Sequence, residues 1–329
     1  MMVKAMVARI TFEASRGRRK FVLKKPTSVT VESSWKMLTD TATITMPRNV
    51  YMDGQKGYEK MRIKDILVAG DPVSIDLGYN GQYVHEFSGY VTRVSADVPI
   101  EIQCEDEMFV LKSIPVNASF QKVSLQKLLE TILPDRDIDA LEVNIGTIRF
   151  VKTTVAKVLE FLKDEYSLFS YMKGKQLVVG KVYADDIVKN VHRIVLEKDV
   201  VSHSLSYRNR DDIKIRIKAV STLPNGSKLD VTVGDEEGEE RQLSYYGIEV
   251  KAELEKLALE DLKKYKVDGF DGTADVYGLP LIQHGDIVAL TSTQYPERSA
   301  SYFVERTKVT FDDQPQYRRN VQLGDKVTA

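Results

Sequence analysis

The sequence predicts a mainly β chain of the α+β class, in which two related small β-barrel domains flank a helix-containing α/β domain. Three observations predict it. Apolar and polar residues alternate from Arg9 to about Lys112 with turn residues between the runs, the pattern of half-buried antiparallel strands. The period lengthens to that of helices between Ser124 and about Met172, and alternation resumes from Val191. A chain of 329 residues with 43% apolar and 29% charged composition holds two or three cores of ordinary size. The expected domains are 1–113, 114–187 and 188–329, the last with one helix at about 248–265, and the boundaries are free to be discontinuous in space.

In the first domain strands are predicted at Phe21–Leu23, Ser28–Glu32, Thr41–Met46, Val73–Leu77, Glu86–Val94 and Ile100–Cys104. Breaks at Asp53-Gly54, Gly70-Asp71-Pro72 and Asn80-Gly81 supply turns, and Asn-Gly tolerates the positive φ of a tight hairpin. Short strands must hide their edges, which closure into a barrel achieves. In the middle, Leu125, Leu128, Leu129 and Ile132 share a helix face, Ser124 is placed to cap it and Pro134 stops it. A second helix is predicted from Thr154 to about Met172, with Val155, Val158, Leu159, Leu162 and Tyr166 on one face and Gly174 as terminator. Strands around Val143–Phe150 and Gln176–Val182 complete the insert. The last domain reads as strands at Ile194–Leu196, His203–Tyr207, Ile213–Val220, Lys228–Val233, Gly272–Tyr277, Asp286–Leu290, Ser301–Thr310 and Arg318–Leu323, with turns at Pro224-Asn225-Gly226 and Gly234–Glu240. Its helix carries Val250, Leu254, Leu257, Ala258 and Leu262 on one stripe.

An internal echo links the outer domains. At an offset of 215 residues Gly70, Asp71, Val73 and Val94 meet Gly285, Asp286, Val288 and Val309, while Ile75 meets Leu290 and Phe87 meets Tyr302. Either a strand–turn–strand unit was built twice, or common turn and strand residues coincide.

Chemistry is sparse in the sequence. The 47 Lys and Arg balance 48 Asp and Glu, so no overall basic excess attracts nucleic acid or anionic lipid. One cysteine, Cys104, excludes a disulfide framework, fits a reducing cytoplasm, and at an alternating strand position reads as buried and inert. Residues 1–12 lack the apolar core of a signal peptide, and eighteen apolar residues never run together. His85, His192, His203 and His284 lack metal-ligand spacing and read as surface or strand histidines. No nucleophile elbow or phosphate loop occurs, and Asp268–Gly272 lacks calcium-loop spacing. The pairs Asp106–Glu107, Asp185–Asp186, Asp211–Asp212 and Asp312–Asp313 read as solvated loop residues, and the runs Arg16–Lys20 and Asp235–Glu240 as exposed hairpin tips. Neither a cofactor nor a metal is expected. Trp35 is open between a core role and a subunit contact.

The stretch Trp35–Pro47, the run Gly70–Gly89 and the segment Tyr90–Lys112 resemble the N-terminal domain of phage tail baseplate hub proteins. That family includes late control protein D and the hub portion of type VI secretion spikes. The helix Thr154–Phe169 leading into Gln176–Val179, and the end with Tyr277-Gly278-Leu279-Pro280 and Gly285-Asp286-Ile287-Val288, are similar to it in order and spacing. The resemblance implies a non-enzymatic structural protein of the virion tail baseplate, assembled in the bacterial host cytoplasm. It implies a homotrimer whose two barrels per subunit make a pseudo-sixfold ring between a hexameric tail tube protein and a trimeric central spike, beside other baseplate proteins, with DNA at most in transit. Because the sequence stops at Ala329, soon after the last strand, the spike is expected to be a separate protein. The candidate ring contact is Trp35 with the strand Thr41–Met46, namely Thr41, Thr43, Ile44 and Met46, since strand edges pair readily between chains. The alternative is a tail-tip protein that binds carbohydrate or cell surface through Tyr79, Tyr83, Tyr245, Tyr246 and Tyr295.

Overall fold

The computed structural model describes residues 5–327 apart from 48, 55–56, 182–189, 224 and 315. The start of the turn at Pro224, the end of the strand at Val182 and the pair Asp185–Asp186 fall outside the described residues. The protein is mainly β. Six strands of the first half are β1 (Met6–Phe12), β2 (Ser28–Ser34), β3 (Thr41–Met46), β4 (Pro72–Tyr79), β5 (Gln82–Val94) and β6 (Ile100–Glu105). Six of the second half are β7 (Val191–Val195), β8 (Val200–His203), β9 (Thr273–Tyr277), β10 (Ile287–Thr291), β11 (Ala300–Asp312) and β12 (Gln316–Lys326). With the short strand Phe21–Leu23 on β1, they form one 13-stranded sheet.

The two halves repeat. In space the first runs β2-β3-β6-β5-β4-β1 and the second β8-β9-β12-β11-β10-β7, the same order. Register repeats as well: Val73 faces Gly89 and Ile75 faces Phe87, as Val288 faces Tyr302 and Leu290 faces Ala300. Both hairpins carry an irregularity at the same point, between Val91 and Arg93 and between Val304 and Arg306. The 215-residue offset thus holds for β4 and β10, but the second strand is offset by 213. The counterpart of Phe87 is Ala300 rather than Tyr302, and that of Val94 is Thr307 rather than Val309. A uniform offset misses this slip because nine residues separate Leu290 from its partner Ala300, whereas eleven separate Ile75 from Phe87. The outer strand differs: β1 is antiparallel to β4, whereas β7 is parallel to β10.

The halves are joined by one hairpin. Seven residues separate Val94 from its partner Ile102, whereas thirteen separate Thr307 from Val321. The longer β11–β12 hairpin overshoots its own half. Its Arg306–Asp312 segment pairs with Ser28–Ser34 of β2, and its Val309, Phe311 and Tyr317 enter the first core among Ile10, Val29, Ile44, Ile75 and Ile102. Nearer its base, Tyr302, Val304, Val321 and Leu323 belong to the second core with Val276, Val288 and Leu290. Alternate residues of the first-half strands all meet in one core, so the sheet curls around it. Side chains draw its far side together: the Tyr79 hydroxyl donates to the Tyr317 carbonyl at 3.0 Å.

A buried ion pair lies beside that contact. Glu86 of β5 and Arg319 of β12 meet at 2.6 Å with side chains 2% and 1% exposed. The Arg319 guanidinium also donates to the carbonyls of Ile282 and Gly278 at 3.1 and 3.0 Å, and Glu86 accepts from the Tyr317 hydroxyl. A Cβ on Gly278 would stand 2.4 Å from the Tyr317 ring, so the Tyr277-Gly278-Leu279-Pro280 stretch needs its glycine to let that ring pack on the backbone.

Between the halves, α1 (Leu125–Ile132) and α2 (Val155–Tyr166) cover two small sheets with a core of Leu125, Leu128, Leu129, Val155, Val158, Leu159 and Leu162. The Ser124 hydroxyl caps α1 by accepting from the Lys127 amide. The predicted second helix is too long: it stops at Tyr166, where Ser167 turns left-handed at φ 54°, and Gly174 serves the hairpin between Ser170–Lys173 and Gln176–Val179. A third helix, α3 (Lys251–Tyr265), and the strands Ile215–Thr222, Lys228–Gly234 and Glu239–Tyr246 form a fourth packed unit around Ile217, Ala219, Leu254 and Ala258. This unit interrupts the second half between Ser206–Arg208 and Gly269–Asp271, which pair with each other. The acidic run is a crossover and not a hairpin tip, because Glu239–Tyr246 runs parallel to Ile215–Thr222 and the chain must wrap around Ile215. The Asp235 carboxylate accepts from the Ile215 amide at 3.2 Å, and Gly238 passes where a Cβ would be 2.7 Å from that backbone.

Breaking the buried pair leaves a charge without a partner in a dry core. Glu86→Gln or Arg319→Met is expected to lower the unfolding free energy by about 3–5 kcal/mol. Urea titration followed by circular dichroism checks this, and a loss below about 1 kcal/mol would contradict it.

Candidate functional site

The Gly-Asp turns ahead of β4 and β10 are built alike. Gly70 and Gly285 adopt φ of 91° and 85°, which glycine reaches without strain. Their amides donate to Val91 and Val304 carbonyls at 2.7 and 2.8 Å, and the Asp71 and Asp286 carboxylates accept from the Val68 and Gln283 amides at 3.1 and 2.9 Å. Each aspartate has a nitrogen-bearing side chain beside it, the Arg18 guanidinium at 3.4 Å for Asp71 and the His192 ring at 3.0 Å for Asp286. The basic run is therefore only partly a solvated tip: Arg16 and Gly17 make the turn while Arg18 folds back onto the Phe12 and Glu13 carbonyls.

The second of these turns faces a cleft of about 670 Å³, where the β4–β5 hairpin, the Ser170–Val179 hairpin and the Gln283–Asp286 turn converge. Asp40 and Asp106 are among the acidic residues that line it. The Asp40 carboxylate accepts from the Ser34 amide at 3.2 Å and from the Ser33 hydroxyl, and the Asp40 amide donates to Asp106 at 3.1 Å. Burial pushes the Asp40 pKa up to about 6, and burial together with the nearby Asp40 charge pushes Asp106 up to about 7. Across the cleft His284 packs edge-on against Tyr171, and desolvation pushes its pKa down to about 4, leaving it neutral at pH 7. Glu107 is held by Arg136 at 2.7 Å and by the Tyr90 hydroxyl at 3.1 Å. Asp106 is thus buried, unlike the solvated residue expected, and His284 is a half-buried turn residue on the cleft wall. Asp211 and Asp212 are exposed as expected. Cys104 is buried, and desolvation pushes its thiol up to about 12, far from any reactive thiolate.

One arrangement on the cleft wall was missed by motif reasoning. The Ser88 hydroxyl lies 2.8 Å from His85 Nε2, and His85 Nδ1 lies 3.0 Å from Asp76. The order is that of a Ser–His–Asp relay, but it stands on an exposed hairpin whose neighbouring backbone is strand, lacking the turn or helix start that converges amides on an oxyanion. Among the described residues no three His, Cys, Asp or Glu side chains are grouped to hold a metal ion.

The proposed contact residues are placed differently from one another. Trp35 is buried against Phe169, Tyr171 and Val178, with its ring edge-on to Phe169 at 5.0 Å, so it docks the first half onto the middle domain of the same chain. The edge argument for Thr41–Met46 does not hold, because β3 is paired on both sides, to β2 and to β6. Ile44 and Met46 lie in the first core, and Thr41 and Thr43 point to the opposite, half-buried face. The five tyrosines of the alternative reading are dispersed. Tyr79 and Tyr246 donate to backbone carbonyls of Tyr317 and Tyr166, and Tyr83 and Tyr295 stack under Arg9 and Arg298. Only Tyr245 lines the larger cleft, of about 870 Å³, beside Tyr207, Tyr265, Phe270 and Tyr302.

Comparison with solved structures gives the architecture a context. A tail protein from Neisseria meningitidis superposes over 98% of this chain and 97% of its own with a TM-score of 0.62 at 14% identity. A 43 kDa prophage tail protein from Shewanella oneidensis does so over 97% and 98% with a TM-score of 0.61 at 15% identity. An Escherichia coli component of the type VI secretion system, itself described as structurally similar to T4 bacteriophage tail proteins, covers 92% of this chain and 73% of its own with a TM-score of 0.52 at 9% identity. No family model and no curated protein matches the sequence. The fold is that of phage tail and type VI secretion proteins.

Because the Asp40 and Asp106 pKa values are raised by folding, the protonated pair favours the folded state. Its contribution is complete below the unfolded value near 4 and is lost as pH rises through about 6 to 7. The expected outcome is that the wild type loses stability between about pH 4 and 7 relative to Asp106→Asn, by at most about 1.4 kcal/mol per pH unit for the one carboxyl removed. Chemical denaturation of both proteins across that range checks it, and parallel pH profiles would contradict it.

Proposed function

We propose that this chain is the structural hub of a phage-type tail baseplate, three copies closing into a ring of pseudo-sixfold symmetry. The observation that carries the reading is the repeated half-sheet, with the same strand order, register and irregularity twice in one chain. Three chains with two such units each offer six similar surfaces to a hexameric tube while keeping the threefold symmetry that a trimeric spike requires. The tail-protein fold of the solved neighbours supports the same role. In this reading the partners are the tube protein, a trimeric spike and other baseplate proteins, the site of action is the virion tail, and the chain turns over no substrate. No described helix is long and apolar enough to cross a membrane.

The buried centre of the molecule suits a scaffold. The Glu86–Arg319 pair and the Trp35 contact tie separate cores together, so force on one unit passes to the next through packed side chains. The Ser88–His85–Asp76 relay is then a polar surface network.

Light scattering on a sizing column is expected to give three times the 37.3 kDa chain mass. A monomer at every concentration, with and without co-produced tail partners, would overturn the ring. Ser88→Ala is expected to leave assembly unchanged, and neither protein should hydrolyse a p-nitrophenyl ester above the buffer rate. Ile44→Lys, by contrast, is expected to unfold the subunit, because it buries a charge in the first core.

A further inference from the structure

Inside one chain, the link between the two repeated units has a definite form. The tip of the β11–β12 hairpin lies along the outer edge of β2, so the edge of the first unit is covered by the second. The strand that corresponds to β2 in the second unit is β8, and among the described residues its outer edge is unpaired. An open edge presents unpaired amides and carbonyls and is a pairing surface unless it is covered. Val201, in the middle of β8, is 46% exposed.

The hairpin that corresponds to β11–β12 in the first unit is β5–β6, and its tip is uncovered too. That tip, residues 95–99, is a fixed structure: the Ser95 amide donates to the Glu101 carbonyl at 2.8 Å, and the Glu101 amide donates to the Ser95 hydroxyl at 2.9 Å. It holds Val98 outward at 69% exposure, the highest of the exposed large apolar side chains. The corresponding tip in the second unit instead places Phe311 and Tyr317 in the neighbouring core. Each unit thus has one donor tip and one acceptor edge, and within the chain only one tip and one edge are used.

We propose that the β5–β6 tip of one copy packs against the β8 edge of a second copy, the counterpart between chains of the β11–β12 tip on β2 within one chain. The proposal rests on the ring reading above and names the contact that closes it. Head-to-tail use of a tip and an edge is a heterologous contact, which generates a closed ring when the rotation closes. The free tip is six residues shorter than its counterpart, so the contact between chains is the smaller of the two and its apolar centre is Val98 against Val201.

The test is a double variant, Val98→Cys with Val201→Cys, oxidised at the concentration where light scattering reports the assembled particle. The native Cys104 is buried with its thiol pKa pushed up to about 12, so it does not compete. Denaturing electrophoresis is expected to show covalent dimers and trimers for the double variant and none for either single variant. In parallel, Val201→Asp is expected to give a folded monomer, with thermal unfolding unchanged and assembly lost. A trimer that neither cross-links nor responds to Val201→Asp would overturn this contact while leaving the ring intact. A wild type that is monomeric throughout overturns both.

Discussion

Glu86 and Arg319 are ionised side chains shut away from water at the point where the two halves of the sheet meet. Such a pair is tolerable only where further hydrogen bonds offset most of its lost hydration, and here the two terminal nitrogens of Arg319 are satisfied while its buried Nε has no partner. Arg319 must reach the Gly278 and Ile282 carbonyls, so the chain after β9 must pass close by, and Gly278 must lack a side chain so that the Tyr317 ring can lie on it. Tyr317 in turn must face Glu86 and accept from Tyr79. The β11–β12 hairpin is thereby held in one position, and with it the strand pairing on β2.

The consequence is a molecule in which two similar units share one element. Had the second hairpin been as short as the first, each unit would close on its own and the chain would behave as beads on a string. The six extra residues instead place Val309, Phe311 and Tyr317 in the core of the other unit. Rigid spacing between the units follows, and the proposed ring would need that spacing to match a sixfold partner.

The cleft beside this junction collects three ionisable groups whose pKa values are strongly displaced, Asp40, Asp106 and His284. Their displacement comes from burial where three units of the chain pack together, not from an arrangement of nucleophile, base and oxyanion donors. Junctions between units commonly trap polar groups in this way, because loops carry them there and packing then removes their water.

Much of this protein was determined by local sequence alone. Alternation placed most of the sheet strands, though not β1 and only the last residue of β8, the Ser124 cap and the Leu125–Ile132 face placed α1, and the Gly-Asp repeat located two turns that match bond for bond. These are properties of near neighbours in the chain, set by side-chain period and by the φ that glycine permits. What tertiary structure decided involves partners far apart in sequence. Nothing local distinguishes Glu86 from the exposed glutamates of other strands, or Trp35 as a docking residue rather than a subunit contact. Nor does anything local mark Thr41–Met46 as a central strand rather than an edge. The end of α2 at Ser167, the separate unit around α3 and the tip-and-edge asymmetry of the two hairpins belong to the same class. Each depends on which strand lies beside which, and hydrophobic period reports the face a strand buries but not its neighbour.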